Sequence, residues 1–397
     1  MNKITIGIFN DSFFPMMDGV CMVVDNYAKR LSKFANVIVF VPEYKGKKFD
    51  DSKLGYTVVR CKSKKIFFLD YSLPTPHLDR EFMKELDSYS LDIVHIHSPF
   101  TLGKVGLNYA KKRNIPVVAT MHSQFKQDFK RAVKSDYLAT KLNNVPIKLF
   151  NKCDECWAVN SEVAKIFYED YGYKTLPRVM NNATDMKLIL FPGKSNELIN
   201  KKHNIKKDEK VFLFVGRINK LKNIFFIVDS LKILKDKHPD FKFKMLFVGN
   251  GQDLEDLKKY ISKNKLKKEI DLCGKVVDRD LLAAYYRRAD LFLFPSLYDA
   301  SSIVQIEAAS QKTPTLFLEG AATSATITNN VNGFIIENDK EKYADRIFEI
   351  MNDSKLYKTV CKNAYKDIYV SWDKRIKEIY NLYVDLIKQK NIEINNK

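Results

Sequence analysis

Short apolar runs, each followed by a stretch of helical period, recur from the start of the chain almost to its end, and this alternation limits the fold more than any other feature. Ile4 to Phe9 reads as a strand buried on both faces, Asp25 to Phe34 as an amphipathic helix and Val37 to Val41 as the next strand. Ile93 to Ile96, Val117 to Thr120 and Trp157 to Val159 repeat the pattern, with a helix expected over Thr101 to Arg113. Strands separated by helices pair in parallel through crossovers, which gives an α/β fold. Around Asp185 to Asp208 the pattern dissolves into a polar, lysine-rich stretch with Pro192 and Gly193, read as a linker. It resumes at Val211 to Val215 and continues through Lys244 to Val248, Leu291 to Phe294 and Thr315 to Leu318, ending in a helical tail from about Asp373 to Lys390. The expectation is two tandem, Rossmann-like, doubly wound domains over residues 1–185 and 186–370, followed by a C-terminal helical segment over 371–397. Ligands of open α/β sheets bind beyond the carboxyl ends of the strands, so two facing halves would hold a ligand in the cleft they form. No repeat of 20 to 50 residues is evident, which argues against a solenoid.

Composition narrows the partners. A chain of 397 residues with 45% apolar side chains can bury two or three cores, and its six cysteines are too sparse for a disulfide scaffold. No leading apolar signal segment and no run near the ~20 apolar residues of a membrane span is seen, so a cytoplasmic, reduced protein is expected. The 67 Lys and Arg against 48 Asp and Glu leave a formal charge of +19, which favours an anionic partner: nucleic acid, an anionic membrane surface or a phosphorylated small molecule. An RNA-binding aromatic signature and a recognition-helix motif are both absent, so nucleic acid is not expected.

Three segments carry residues suited to phosphate and sugar chemistry. In Asn10 to Val20 a lone Gly19 sits where a helix begins; the turn either simply connects strand to helix or offers unpaired N–H groups to an anion. In Phe214-Val215-Gly216-Arg217-Ile218-Asn219-Lys220-Leu221-Lys222-Asn223, Arg217 and Lys222 leave a strand end five residues apart. They are either two solvated cations or a clamp, with Arg217 gripping phosphate through its planar fork and Lys222 neutralising a leaving diphosphate. In Phe294 to Ala309, Asp299 and Glu307 lie eight positions apart, across a loop and the following helix. They suit contacts to a sugar phosphate and to ribose hydroxyls, or else Ser301 or Ser302 caps a helix whose Glu307 is solvated.

Taken in this order, the segments resemble the retaining glycosyltransferases of family four, which have the two-Rossmann GT-B fold, over nearly the whole chain. Gly-Arg followed by Lys-Asn resembles the diphosphate clamp, Asp299-x7-Glu307 the E-x7-E motif, and Ser371-Trp372-Asp373 with Tyr380 and Tyr383 the closing helix that crosses back onto the first domain. The resemblance implies that Asp299 contacts the donor sugar and Glu307 the ribose, with the backbone of Ser301, Ser302 and Ile303 on sugar or phosphates. Ala119-Thr120-Met121-His122-Ser123 resembles the strand-end motif whose imidazole faces the donor sugar. The sequence departs from the family at Asp299, usually Glu, at Lys312, usually Gly, and at Asn181-Asn182-Ala183, usually Pro-Asn-Gly.

The implied protein is a metal-independent hexosyltransferase, without cofactor, that moves a hexose with retention from a nucleotide diphosphate sugar, UDP-linked, to a cell-envelope lipid or glycan hydroxyl. The rivals are a non-catalytic sugar-nucleotide-binding protein and a basic nucleic-acid-binding protein. His95 and His97 alternate on one strand and share a face, a pattern the family has without metal. Cys153-Asp154-Glu155-Cys156 has redox spacing but no second pair, and reads as structural. Finally, Lys62 to Leu69 and Phe125 to Lys134 mix cations with large apolar groups. Phe125, Phe129 and Val133 would form an apolar stripe flanked by Lys126, Lys130, Arg131 and Lys134, either packed on its own domain or laid on an anionic membrane. A peripheral position at the inner face of the cell membrane is therefore admitted.

Overall fold

The computed structural model describes residues 3–16, 18–46, 49–65, 72–297 and 299–396, without the side chains at 128, 131 and 132. It divides into two units, Met1–Asn181 with Trp372–Lys397, and Asn182–Ser371.

The strands of the first unit are β1 (Thr5–Phe9), β2 (Asn36–Pro42), β3 (Thr57–Cys61), the hairpin β4 (Ser63–Lys65) and β5 (Ser72–Pro74), β6 (Ile93–Ile96), β7 (Val117–Met121), β8 (Glu155–Ala158) and β9 (Arg178–Val179). Seven of them form one sheet in the order β3-β2-β1-β6-β7-β8-β9, with every neighbour parallel. Their apolar runs are continuous rather than alternating because helices cover both faces, and Ile6, Ile8, Phe9, Ile93, Val94 and Ile96 are wholly buried. The C-terminal helix Trp372–Asn395 belongs to this unit: Trp372 packs edge-on to Tyr27, Arg30 pairs with Asp373 at 3.3 Å, and buried Tyr383 stacks on Trp157.

The second unit carries β10 (Lys210–Val215), β11 (Phe243–Val248), β12 (Ile270–Gly274), β13 (Leu291–Phe294), β14 (Thr315–Leu318) and β15 (Phe334–Ile336), in the parallel order β12-β11-β10-β13-β14-β15. The expected linker Asp185 to Asp208 is structured instead. It contains the helix Gly193–Lys202, whose Ile199 is buried in this unit's core, so the local lysines decorate a helix rather than loosen a tether. In each sheet the order reverses beside the first strand, between β1 and β6 and between β10 and β13, and such switch points open the crevices where α/β sheets hold ligands.

Candidate active site

At the switch point of the first unit, the loop after β1 is tied by its own side chains. Buried Asn10 donates to the Ser12 carbonyl at 2.6 Å, and Ser12 donates to Asp18 at 3.0 Å. Asp18 caps the helix Gly19–Leu31 by accepting from the Cys21 N–H at 2.7 Å. Gly19 is the first residue of that helix, with open space where a side chain would stand. The helix N-terminus therefore already holds one carboxylate, which competes there with any phosphate.

Three imidazoles line the ends of β6 and β7. His95 is hydrogen-bonded through Nδ1 to the Tyr383 hydroxyl at 2.5 Å and through Nε2 to Thr120 at 2.7 Å, and its ring lies 4.1 Å from that of His97. His97 Nδ1 lies 2.9 Å from Nε2 of half-buried His122, the two rings stacked, while His97 Nε2 has no partner among the described residues. Burial pushes the pKa of His122 down to about 4, against the upward pull of Asp18, and holds those of His95 and His97 well below the usual range. Neutral imidazoles can only alternate as donor and acceptor, so the proton in the His97–His122 bond fixes which His122 nitrogen is left to donate. The two cysteines of the C-x-x-C pattern are free and donate to carbonyls of the helix Asp136–Phe150.

At the switch point of the second unit, Asn219 starts a short turn by accepting from the Lys222 N–H at 3.2 Å. Asn223 donates to the Pro295 carbonyl at 3.2 Å, fastening the turn to the end of β13. This places Lys222 Nζ on Asp299 in an ion pair with both side chains mostly buried, while the second Asp299 oxygen is buried without a described partner. Arg217 stays exposed, and its guanidinium makes no hydrogen bond or ion pair with a described residue.

Ser302 occupies the N-cap of the helix Ile303–Ser310 but its side chain makes no cap, and Ser301 accepts instead from Asn182 at 3.1 Å. The first-turn N–H groups of that helix are left without a side-chain acceptor. The solvated alternative for Glu307 does not hold: it is 4% exposed, 2.8 Å from Arg279 Nη1, and accepts from the Tyr286 hydroxyl at 3.0 Å. Burial raises its carboxyl above the usual range, and Arg279 and Tyr286 oppose that rise.

Arg279 and Tyr286 escaped the sequence reading. Their signal is a spacing of seven, which puts both on one face of the helix Arg279–Arg288. Gly249 and Gly251 were also missed: a Cβ at Gly249 would stand 1.8 Å from the Gly216 carbonyl oxygen, so the loops after β10 and β11 close on each other only through glycine. Gly-x-Gly at a strand end was the cue. Among the described residues, no group of three or more His, Cys, Asp or Glu is disposed to hold a metal ion.

The apolar stripe Phe125, Phe129, Val133 lies on the helix Phe125–Val133 and is half-buried, with Phe125 against Phe100, Phe150 and Phe167. Phe125 thus packs on its own unit, as the first of the two alternatives for this helix has it, while membrane contact is not tested; the Arg131 side chain lies outside the described residues. The exposed apolar face belongs to the next helix, Asp136–Phe150, where Tyr137 is 67%, Leu138 47%, Leu142 40% and Val145 58% exposed. Ile66 to Leu69, of the other segment, lie outside the described residues.

Comparison with known proteins bears on the family and the fold. The family model described as Glycosyltransferase Family 4 matches residues 17–188, and that described as Glycosyl transferases group 1 matches residues 195–367. An alpha-monoglucosyldiacylglycerol synthase of Acholeplasma laidlawii is 28% identical over 99% of this chain and 100% of its own. The sucrose-phosphate synthase of Thermosynechococcus elongatus superposes with a TM-score of 0.78 at 18% identity, over 98% of this chain and 100% of that one. An Anabaena protein crystallised in complex with UDP and glucose superposes with a TM-score of 0.74 at 15% identity, over 96% of this chain and 99% of that one. With both sheets doubly wound and the two family models together spanning nearly its whole length, the chain belongs to the family-four-like glycosyltransferases of GT-B fold.

Proposed function

We propose that this glycosyltransferase moves a hexosyl group from a UDP-sugar, with retention and without a metal, to a hydroxyl of a cell-envelope lipid of the diacylglycerol class. The observation that carries the reading is the Lys222–Asp299 ion pair at the ends of β10 and β13, one residue suited to a departing diphosphate and the other to sugar hydroxyls. The name of the Acholeplasma relative supports the glucosyl group and the acceptor, and the UDP and glucose held by the Anabaena protein support the donor.

In this mechanism Lys222 leaves Asp299 for the diphosphate, joined by the unengaged Arg217, so that negative charge developing on the leaving oxygen meets fixed cations. The uncapped N–H groups from Ile303 onward add the positive end of a helix. Asp299 turns to the sugar hydroxyls, Glu307 accepts from the ribose, and His122 is assigned to the sugar by family resemblance. The acceptor oxygen bonds to the anomeric carbon on the face from which the phosphate oxygen departs, and its proton passes to that oxygen.

Transfer from UDP-glucose to diacylglycerol in vesicles, with the anomeric configuration of the product read by NMR and EDTA added to one arm, tests the reaction. A product of inverted configuration, or one lost with EDTA, would refute the corresponding part. Calorimetry with UDP tests the division of labour: Glu307→Gln should weaken UDP about tenfold or more, the cost of a charge-assisted hydrogen bond, while Asp299→Asn should leave UDP affinity nearly intact and lower transfer. Equal losses would contradict it.

We assign peripheral membrane attachment to the helix Asp136–Phe150 in place of its predecessor. Tyr137, Leu138, Leu142 and Val145 form its outer face, with exposed Lys134, Lys141 and Lys148 around them, and Asp136 is neutralised by Lys130 at 3.0 Å. Each such cation is worth about 1 kcal/mol at an anionic leaflet and is screened by salt. Changing the three lysines to Glu should release the protein from phosphatidylglycerol vesicles while UDP affinity survives; undiminished co-sedimentation would remove this face from consideration.

A further inference from the structure

Glu307 lies in a setting where a carboxylate would ordinarily take up a proton, because a buried ionised group is costly unless it is paired. Its charge is met from one side only. Arg279 Nη1 stands 2.8 Å from Oε1, and the Tyr286 hydroxyl donates to Oε2 at 3.0 Å, both from the helix Arg279–Arg288. The helix Ser354–Asp367, packed against the other side of the Glu307 helix, meets it through Ala364 beside Ile306 and Ala309, with no charge. The remaining charged group nearby is Asp185, which accepts from Arg279 Nη2 at 2.8 Å. One guanidinium thus spans two carboxylates, a geometry its planar fork allows and a point-like ammonium does not. Arg279 itself is exposed, at the edge of a groove of about 740 Å³.

We propose that Arg279 and Tyr286 are positioning residues that keep Glu307 ionised and turned so that each carboxylate oxygen retains a lone pair for one hydroxyl of the ribose diol. This rests on the assignment of Glu307 to the nucleoside above. Each oxygen can accept twice, and the two protein donors take one position apiece, so two remain for the 2′- and 3′-hydroxyls. A protonated Glu307 would lose one of those acceptors and misdirect the other. Asp185 holds the second arm of the guanidinium and so sets the plane in which the first arm meets Glu307.

The experiment measures binding of UDP, 2′-deoxy-UDP and 3′-deoxy-UDP to the full chain between pH 6 and 8. The wild type should prefer UDP to either deoxy analogue by about tenfold or more at every pH. Arg279→Ala should narrow that preference, most at pH 6, and Arg279→Lys should restore part of it. Tyr286→Phe, which deletes a single oxygen, should narrow it in the same sense and keeps the test in force if Arg279→Ala does not fold. In a Glu307→Gln background neither change should have a further effect, since partners that act only through Glu307 have nothing left to couple to. A folded Arg279→Ala with the full wild-type preference at every pH would overturn the inference alone. A wild type indifferent to the ribose hydroxyls would refute the assignment of Glu307 and this inference with it.

Discussion

The two units build the same kind of switch point with opposite chemistry. At the ends of β6 and β7 the first unit gathers His95, His97 and His122, held neutral by burial, with His95 bonded to Tyr383 and Thr120 and His97 bonded to His122, all by uncharged hydrogen bonds. Around β10 and β13 the second unit sets Lys222 on Asp299 and Arg279 on Glu307. Hydroxyl groups are read well by neutral donors and acceptors, whereas a diphosphate whose charge grows during reaction needs fixed cations. One scaffold thus carries uncharged hydrogen-bonding groups at one switch point and ion pairs at the other, a contrast that the proposed transfer would use.

The comparison breaks most sharply at Lys222. If the second unit does the charge work, Lys222→Ala should lower single-turnover transfer by about 10² to 10³, with a smaller effect on UDP binding, because the contact strengthens as the diphosphate leaves. It also leaves Asp299 without its cation. Transfer within a few-fold of wild type would show that the ion pair is structural, and the contrast between the units would lose its functional meaning.

Acid should separate the units by a further few kcal/mol. A histidine whose folded pKa lies below the unfolded value of about 6.5 contributes fully above that pH, and its contribution is lost as pH falls toward the folded value. For His122, with a folded pKa of about 4, the loss is on the order of 3 kcal/mol by pH 4, and His95 and His97 add to it. Asp11, whose carboxyl burial pushes up to about 6, works the other way and by pH 4 offsets on the order of 2 kcal/mol, roughly the share of one histidine. Glu307 in the second unit also has a raised pKa, so protonation there favours the folded state. Hydrogen exchange, corrected for its intrinsic pH dependence, should therefore show β6 and β7 losing protection between pH 7 and 5 while β10 and β13 hold theirs. Equal loosening of both sheets would refute the assignment of acid sensitivity to the imidazoles.

What could be read from the sequence follows the range of the forces involved. The strands were legible because parallel strands buried on both faces read as near-continuous apolar runs, as Val211 to Val215 does throughout and Ile4 to Phe9 does apart from Thr5. The spacing of Asp299 and Glu307 was legible because it is local, although each carboxylate has its own partner, Lys222 for the one and Arg279 for the other. The burial of Glu307 was not, since it depends on Arg279 and Tyr286, more than twenty residues earlier and unmarked by any motif. The helix Gly193–Lys202 was hidden for the opposite reason: its lysines face solvent, and Ile199 alone reaches the core. The face of Phe125 to Val133 could not be assigned from periodicity, which gives an apolar stripe but not what covers it. Phe150 and Phe167, which pack on its first residue Phe125, come from elsewhere in the chain.

The smallest expected effect concerns a pair of helix ends that the two sheets share. The helix Thr101–Arg113, which leads into β7, ends on Asn114 with φ of 53°, and Lys312, shortly before β14, sits at 63°. Both residues are left-handed, a conformation that costs an ordinary side chain roughly 1 to 2 kcal/mol and is more readily taken by asparagine. The first unit thus meets the requirement with a suitable residue, and the second pays for Lys312 where the family's usual glycine would fit. Lys312→Gly would remove the strain but enlarge the unfolded ensemble by about 0.4 to 1 kcal/mol, and it would give up the contact of the Lys312 ammonium with the Tyr365 ring, 5.8 Å from its centroid. Those terms nearly cancel, so glycine should gain little. Lys312→Asn keeps a side chain that restrains the unfolded chain and accepts the left-handed turn, so it should stabilise by about 0.5 kcal/mol, and the reciprocal Asn114→Lys should destabilise the first unit by a similar amount. Denaturant midpoints at unchanged m-value measure both. If Lys312→Asn destabilises by as much as Asn114→Lys, the lysine is held there by contacts worth more than the strain, and the two helix ends are not equivalent.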